Sequence, residues 1–150
     1  MFEFDGQVCL VTGAGNPNGI GFGCAKQLGL SGGTVIITAT TERIYERVEE
    51  LKAMGVRKVY GYIANLCDRK AVKTLITEIT EQHGTIDVLV NNAGNASVAD
   101  REKGDIHANL CDMDDKTWDA IIERNLTLTY NVTAEVLKVM RKNRYGRIVF

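Results

Sequence analysis

Five short runs rich in β-forming residues alternate along this sequence with four longer segments of helical periodicity. The runs cover residues 7–12, 34–39, 56–64, 86–91 and 147–150. The helical segments cover residues 19–30, 42–54, 69–83 and 115–142. Val35-Ile36-Ile37 and Val88-Leu89-Val90 are apolar on both faces, which is typical of strands covered by helices on both sides of a parallel sheet. The order β-α-β-α-β-α-β-α-β therefore predicts an α/β fold of Rossmann type, a doubly wound parallel sheet with right-handed crossovers.

The composition fits one globular domain and narrows the classes of function. The chain has 150 residues, of which 45% are hydrophobic and 25% are charged, as in ordinary globular proteins. Its 18 basic and 19 acidic residues leave a net charge of −1, without the basic excess that neutralises a nucleic-acid backbone. The apolar runs are too short to span a bilayer, and Glu3 and Asp5 stand where a signal peptide carries basic charge. We therefore expect a cytoplasmic protein that binds neither nucleic acid nor membrane.

Neither the cysteines nor the polar segment of residues 95–113 predicts a metal site. The four cysteines are scattered without a CxxC pair, a pattern typical of reduced thiols, most of them packed in the core. His107 and Cys111 stand four residues apart with Asp105 and Asp112 nearby, a set that can in principle ligate a metal. Nothing else in the sequence converges on it. We interpret the segment as a solvated loop and expect no metal.

A glycine-rich turn links the first predicted strand to the first predicted helix. It runs from Thr12 to Gly21 as Thr-Gly-Ala-Gly-Asn-Pro-Asn-Gly-Ile-Gly. Glycines let a ligand approach the backbone, and the helix N-terminus offers unpaired N–H groups and a positive dipole end to a pyrophosphate. The strict dinucleotide fingerprint is not met, because Asn18 occupies the place of its third glycine counted from Gly13. We still predict nucleotide binding rather than an ordinary strand–helix turn. The candidate contacts are Gly13, Gly15, Asn18, Gly19, Ile20 and Gly21.

This turn is similar to the TGxxxGxG turn of the short-chain dehydrogenase/reductase family. Thr12-Gly13 and Gly19-Ile20-Gly21 match that motif, although five residues separate Gly13 from Gly19 where the family usually has three. Asn91-Asn92-Ala93-Gly94, at the end of the fourth predicted strand, matches a second family motif; a hairpin-like turn is the alternative. The resemblance implies that this stretch braces the sheet and contacts the cofactor. Its candidate contacts are Asn92, Ala93 and Gly94.

Asn125 matches a third position of the family and is also unusual by its spacing alone. Ile121, Leu128 and Val132 lie four residues before it and three and seven after it, so Asn125 interrupts an apolar helix stripe. A buried amide needs polar partners, and a satisfied structural asparagine is one interpretation. The resemblance implies another, the family's catalytic asparagine, which holds a water linked to the active-site lysine.

The end of the second predicted strand bears on the choice of cofactor. Family members that prefer NAD usually place an acid there, which binds the adenosine ribose and would repel a 2′-phosphate. Here Ala39 stands at that position, as in the 3-oxoacyl-[acyl-carrier-protein] reductases that this stretch resembles, which use NADPH. Thr40 and Thr41 can donate hydrogen bonds to the phosphate and Arg43 can supply charge, although helix capping is an alternative for the threonines. Against NADP(H), no basic residue lies within residues 16–18, where many family members that use NADPH carry an arginine. On balance the resemblance favours NADP(H), and NAD(H) is possible.

Asn65 and Leu66 end the third predicted strand, where the family has residues beside the adenine. An asparagine there can bond to the amino group of the base, and a simple strand-end turn is the alternative. We interpret both residues as cofactor contacts.

The family's serine and Tyr-x-x-x-Lys pair are not found in these 150 residues. In the family the lysine lowers the pKa of the tyrosine, which exchanges a proton with the substrate oxygen. None of the five tyrosines here is followed four residues later by a lysine. We therefore expect residues 1–150 to be an incomplete NAD(P)-binding domain that is cut in its fifth strand. By themselves these residues are expected to have no catalytic activity and to aggregate.

The resemblance implies an NADP(H)-dependent oxidoreductase that moves hydride between nicotinamide and a small carbonyl or secondary alcohol. One alternative is an enoyl-[acyl-carrier-protein] reductase, a branch with the longer turn spacing seen here but typically without Asn-Asn-Ala-Gly. Another is a non-catalytic dinucleotide-binding protein. The family usually pairs the helix predicted over residues 115–142 with its copy, which implies a homodimer or homotetramer.

Overall fold

The computed structural model describes residues 3–94, 111 and 113–150. Within these ranges the strands are β1 (Val8–Val11), β2 (Thr34–Ala39), β3 (Val59–Ile63), β4 (Val88–Val90) and β5 (Arg147–Val149). The helices are α1 (Ile20–Leu30), α2 (Arg43–Ala53), α3 (Arg69–His83), α4 (Asp115–Ile122) and α5 (Leu128–Asn143). A π-helical segment, Glu123–Thr127, joins α4 to α5.

The described strands form one parallel sheet in the order β3-β2-β1-β4-β5. Val11 at the end of β1 pairs with Ile37 on one side and with Val90 on the other. The chain runs outward from β1 to β3 and then crosses to β4 on the opposite side of β1, so a topological switch point lies between β1 and β4. Ligands of such sheets bind in the crevice outside the carboxyl ends of the strands at this point. The predicted Rossmann-type fold is confirmed.

Each face of the sheet is covered by its own pair of helices. Leu10, Ile36 and Leu89 belong to the core on the side of α3 and α5, whereas Val11 and Ile37 belong to the core on the side of α1 and α2. Successive residues of one strand thus enter opposite cores, as the runs that are apolar on both faces predict.

Two predicted segments differ from the structure. The run 56–64 contains a shorter strand, because the N–H of Val56 bonds to the Leu51 carbonyl at 3.0 Å and so belongs to the end of α2 rather than to the sheet. The helix predicted over residues 115–142 is divided by the π-helical segment. In that segment the N–H of Leu128 bonds to the carbonyl of Glu123, five residues back.

The cysteines are all free, and three of the four lie in or against the core, since Cys24 and Cys67 are partly buried and pack against the two core clusters. Of the four, only Cys9 is buried. Burial, and to a smaller extent the negative charge of nearby Asp87, raises the pKa of its thiol to about 12. Cys24 and Cys67 are partly exposed and Cys111 is exposed. In the part of the chain that the structure describes, no helix is long and apolar enough to cross a bilayer.

Candidate functional site

The carboxyl ends of β1 and β4 are joined through the side chain of Thr12. This side chain is fully buried. Its Oγ1 accepts hydrogen bonds from the N–H groups of Asn92 and Ala93, both at 3.0 Å, and donates to the Val90 carbonyl at 3.3 Å. The segment after β4 is therefore fixed against the start of the glycine-rich turn.

The Asn92 side chain provides a second link between the same two segments. Its Nδ2 donates to the carbonyl oxygens of Thr12 at 2.9 Å and Gly13 at 3.0 Å. Gly13 has a φ of +72°, and a Cβ there would lie 2.7 Å from the Cα of Ala93. A Cβ on Gly21 would lie 2.5 Å from Nδ2 of Asn92. The turn needs glycine at both positions because another backbone or side chain occupies the space of a Cβ.

The turn presents the N-terminus of α1 without a capping side chain. Gly19 is the N-cap residue, and the first turn of the helix contains no acid. By contrast, Asp68 caps α3 through the N–H groups of Lys70 and Ala71, and Asp114 caps α4 through Thr117. Hydrogen bonds from the Thr117 backbone and side chain lower the pKa of the Asp114 carboxyl. The positive end of the α1 dipole is therefore not neutralised by a capping carboxylate, and it favours the binding of an external anion.

The residues between Gly13 and Gly19 fold back on themselves. The N–H of Gly19 bonds to the Asn16 carbonyl at 3.0 Å, and the N–H of Asn18 bonds to Oδ1 of Asn16 at 3.0 Å. Asn18 and Ile20 are exposed. The two additional residues of the turn are thus accommodated in a small closed turn in front of α1.

At the end of β2, Ala39 packs against the glycine-rich turn. A Cβ on Gly15 would lie 3.0 Å from the Cβ of Ala39. Thr40 and Thr41 are exposed, and Nε of Arg43 lies 3.5 Å from Oγ1 of Thr41. Helix α2 begins without a side-chain cap, so helix capping, the alternative role of the two threonines, is not seen.

The turn after β3 is fastened to α5 by a residue that the sequence analysis did not single out. Asn131 is 3% exposed, and its Nδ2 donates to the carbonyl oxygens of Leu66 and Cys67, both at 3.1 Å. Oδ1 of Asn65 accepts from the N–H of Cys67 at 3.1 Å. Leu66 is buried and Asn65 is exposed, so of this pair Asn65 presents its side chain at the edge.

Asn125 is exposed, which corrects its predicted place in a buried stripe. A π turn holds one residue more than an α turn, so positions counted at α-helical spacing across it fall on the wrong face. Nδ2 of Asn125 donates to the Ile121 carbonyl at 2.9 Å. Its Oδ1 lies 3.0 Å from where a Cβ of Gly94 would stand. The structure thus brings Asn125 next to the Asn-Asn-Ala-Gly segment.

The candidate cofactor contacts therefore lie along one edge of the sheet, because each follows the carboxyl end of a parallel strand. The turn from Gly13 to Gly21 follows β1, Thr40 and Thr41 follow β2, Asn65 and Leu66 follow β3, and residues 92–94 follow β4. His107, Asp105 and Asp112 lie outside the described residues. Among the residues described, no group of three or more His, Cys, Asp or Glu side chains is placed to hold a metal ion.

These features define a Rossmann-type α/β protein with a glycine-rich turn and an Asn-Asn-Ala-Gly segment in contact at the switch point. The family model of short chain dehydrogenases matches residues 7–150. The chain belongs to that family.

Curated and structurally known relatives agree with this assignment. The 3-oxoacyl-[acyl-carrier-protein] reductase of Haemophilus influenzae is 36% identical over 144 residues, which cover 96% of this chain and 54% of that protein. The chain thus spans about half the length of the curated relatives that it matches. A metagenomic short-chain oxidoreductase solved with NADP is 32% identical with a TM-score of 0.82, covering 97% of this chain and 61% of that one. An NAD+-bound xylitol dehydrogenase is 27% identical with a TM-score of 0.85, covering 98% and 53%.

Proposed function

We propose that the natural full-length protein binds NADP(H) at the carboxyl edge of its sheet and interconverts a carbonyl and a secondary alcohol. The observation that carries this proposal is the contact of the glycine-rich turn with the Asn-Asn-Ala-Gly segment beside the uncapped N-terminus of α1. The residues present fit a dinucleotide, since Gly13 and Gly21 hold the turn close to Asn92 and leave backbone N–H groups for a pyrophosphate.

The end of β2 supports NADP(H) over NAD(H). Ala39 places no carboxylate beside the turn, the hydroxyls of Thr40 and Thr41 are exposed, and Arg43 lies next to Thr41. These groups suit a 2′-phosphate, which needs donors and positive charge. The name of the Haemophilus relative supports a 3-oxoacyl thioester as one substrate and carbonyl reduction over the enoyl alternative.

In this proposal the bound nicotinamide supplies or accepts the hydride. The residues of this chain bind and orient the dinucleotide, through the glycine-rich turn at the pyrophosphate, Ala39 to Thr41 at the adenosine ribose, and Asn65 with Leu66 at the adenine. Asn125, beside Gly94, is the catalytic candidate and holds a water of the proton relay, as in the family. Proton transfer at the substrate oxygen would fall to the family's Tyr-x-x-x-Lys pair, beyond residue 150.

Fluorescence titration of the full-length protein with NADPH and NADH tests the cofactor. We expect tighter binding of NADPH, and tighter binding of NADH would contradict the proposed role of Ala39. The variant Ala39→Asp is expected to weaken NADPH binding by about tenfold or more, because its carboxylate repels the 2′-phosphate. Ala53→Asp adds the same charge at the exposed far end of α2 and should leave both affinities unchanged.

Steady-state kinetics with a 3-oxoacyl thioester tests Asn125. Asn125→Leu is expected to lower kcat by about 100-fold, within the range for a lost acid–base group, and to leave the Kd of NADPH unchanged. Asn143→Leu, at the exposed end of α5, makes the same chemical change away from the site. An unaltered kcat in folded Asn125→Leu would reduce Asn125 to a structural role.

The proposed homodimer or homotetramer rests on exposed apolar side chains of α4, the π-helical segment and α5. Several large apolar side chains are at least 47% exposed there, namely Trp118, Leu126, Tyr130 and Leu137. Exposed apolar side chains in such number on one face are typical of an interface. Sedimentation of the full-length protein is expected to show a dimer or tetramer, and a monomer would contradict this assembly.

A further inference from the structure

Arg47 is buried although it lies on a surface helix. It is 8% exposed, and among the residues that the structure describes it is the only buried side chain that carries a charge. It lies on the apolar face of α2, between Ile44, Val48 and Leu51, which pack against the sheet. Its side chain is therefore largely removed from solvent.

The guanidinium connects α2 to the glycine-rich turn. One terminal nitrogen, Nη2, donates to Glu50 at 2.7 Å and to Glu46 at 3.1 Å. The other, Nη1, donates to the carbonyl oxygen of Gly15 at 3.4 Å. Nε is buried and has no hydrogen-bond partner among the described residues.

Gly15 is the point at which the turn passes over the end of β2. The N–H of the preceding Ala14 bonds to the Thr38 carbonyl at 3.0 Å, and Gly15 itself packs on Ala39. Arg47 bonds to a carbonyl oxygen in the same stretch, that of Gly15. Gly15 and Ala39 are thereby kept together at the position proposed above for the adenosine ribose and its 2′-phosphate.

Stability alone does not account for an arginine at this position. Its acidic partners Glu46 and Glu50 are 66% and 39% exposed, and ion pairs with exposed partners contribute little to stability. Ile44, Val48 and Leu51 already form an apolar face that a methionine would complete. The Arg47 guanidinium, whose Nε has no partner among the described residues, instead bonds to the carbonyl oxygen of Gly15. Gly15 lies between Gly13 and Gly19, where the turn is longer than the family motif.

We infer that Arg47 is a positioning residue that holds Gly15 against Ala39 at the end of β2 and so shapes the pocket for the adenosine half of the dinucleotide. This inference rests on the proposed function, since it assigns a role within the same cofactor site. Arg47 acts through the turn, because its side chain is buried and its guanidinium bonds to Gly15, Glu46 and Glu50.

Calorimetric titration of the full-length protein with NADPH and with adenosine 2′,5′-bisphosphate, which represents the adenosine half, tests the inference. Arg47→Met is expected to weaken binding of both by about tenfold or more, the effect of losing one charge-assisted hydrogen bond. Arg47→Lys is expected to bind as weakly, because an ammonium bonded to Glu50 does not extend to Gly15 as the guanidinium fork does. Full affinity in Arg47→Lys would overturn the inference, because charge alone would then suffice.

A matched control and a milder variant separate positioning from folding. Lys52→Met removes an exposed cation from the same helix, which pairs with Glu49 at 2.8 Å, and should leave both affinities unchanged. Glu50→Gln weakens the hold on the guanidinium and is expected to give a smaller loss in the same direction, even if Arg47→Met does not fold. A lower melting temperature with unchanged affinities would show a purely structural role and overturn the inference. If the unsubstituted protein binds neither NADPH nor NADH, the proposed function fails; if it binds and the Arg47 and Glu50 variants bind equally well, only the inference fails.

Discussion

Removal of the Thr12 hydroxyl is expected to destabilise the protein strongly for the loss of a single small group. Thr12→Val keeps the shape of the side chain but removes the acceptor for two backbone N–H groups. The N–H of Asn92 retains a bond to the Val90 carbonyl at 3.1 Å, whereas no other acceptor is seen for the N–H of Ala93 among the described residues. A buried unpaired donor costs about 1–3 kcal/mol and each lost bond about 1 kcal/mol. We therefore expect the free energy of unfolding to fall by about 2–3 kcal/mol.

Thr38 provides a matched control on the neighbouring strand. Thr12 and Thr38 follow the paired residues Val11 and Ile37, and both are fully buried. Oγ1 of Thr38 has no hydrogen-bond partner among the described residues, so Thr38→Val should be neutral or slightly stabilising. Urea unfolding at one fixed protein concentration measures both variants. Equal losses for the two would refute the argument, because burial of a threonine and not its bonds would then set the cost.

Two further perturbations follow from the geometry and the charges. Gly21→Ala is expected to lower the melting temperature and weaken NADPH binding, because its Cβ would meet Asn92. Gly23 lies in the same helix with open space where a Cβ would stand. Gly23→Ala should therefore raise the melting temperature, since alanine favours a helix over glycine by about 1 kcal/mol. Burial lowers the pKa of His83 below its ordinary value of 6.5, so the unfolded chain takes up this proton more readily than the folded protein. The stability that neutral His83 contributes is present above pH 6.5 and is lost as the pH falls from there through the lower folded pKa. Melting temperatures at about pH 7.5 and about pH 5.5 should show this loss, and His83→Gln should reduce it; a loss of equal size in that variant would assign the effect to other groups.

The strands and most helices could be predicted because their signal is local. Val35-Ile36-Ile37 is apolar on both faces, and the structure divides it between the two cores. The bounds predicted for the third helix, residues 69–83, are those of α3, since Asp68 caps its start and Gly84 follows its end. The glycines of the turn were informative because only glycine fits where Gly13 approaches Ala93.

The parts that sequence did not predict depend on contacts between distant segments. The π-helical segment changes the spacing around Asn125 without any signal in residue type, and such segments often occur at functional sites. Asn131 reads as an ordinary polar helix residue until the turn after β3 is placed beside it. Arg47 did have a signal: it lies three residues after Ile44 and four before Leu51, within the apolar stripe of α2, where a charged residue is unexpected.

The cross-link at Thr12 also has a consequence for the order in which the protein folds. Asn92 is 80 residues away from Thr12 along the chain, so closing this contact carries a large entropic cost and requires β4 to join β1. Until then, β1 to β3 can pair in sequence while the glycine-rich turn lacks the side chain that holds its carbonyl groups. A nascent chain that has not yet reached β4 therefore has the glycines but not the shape of the turn.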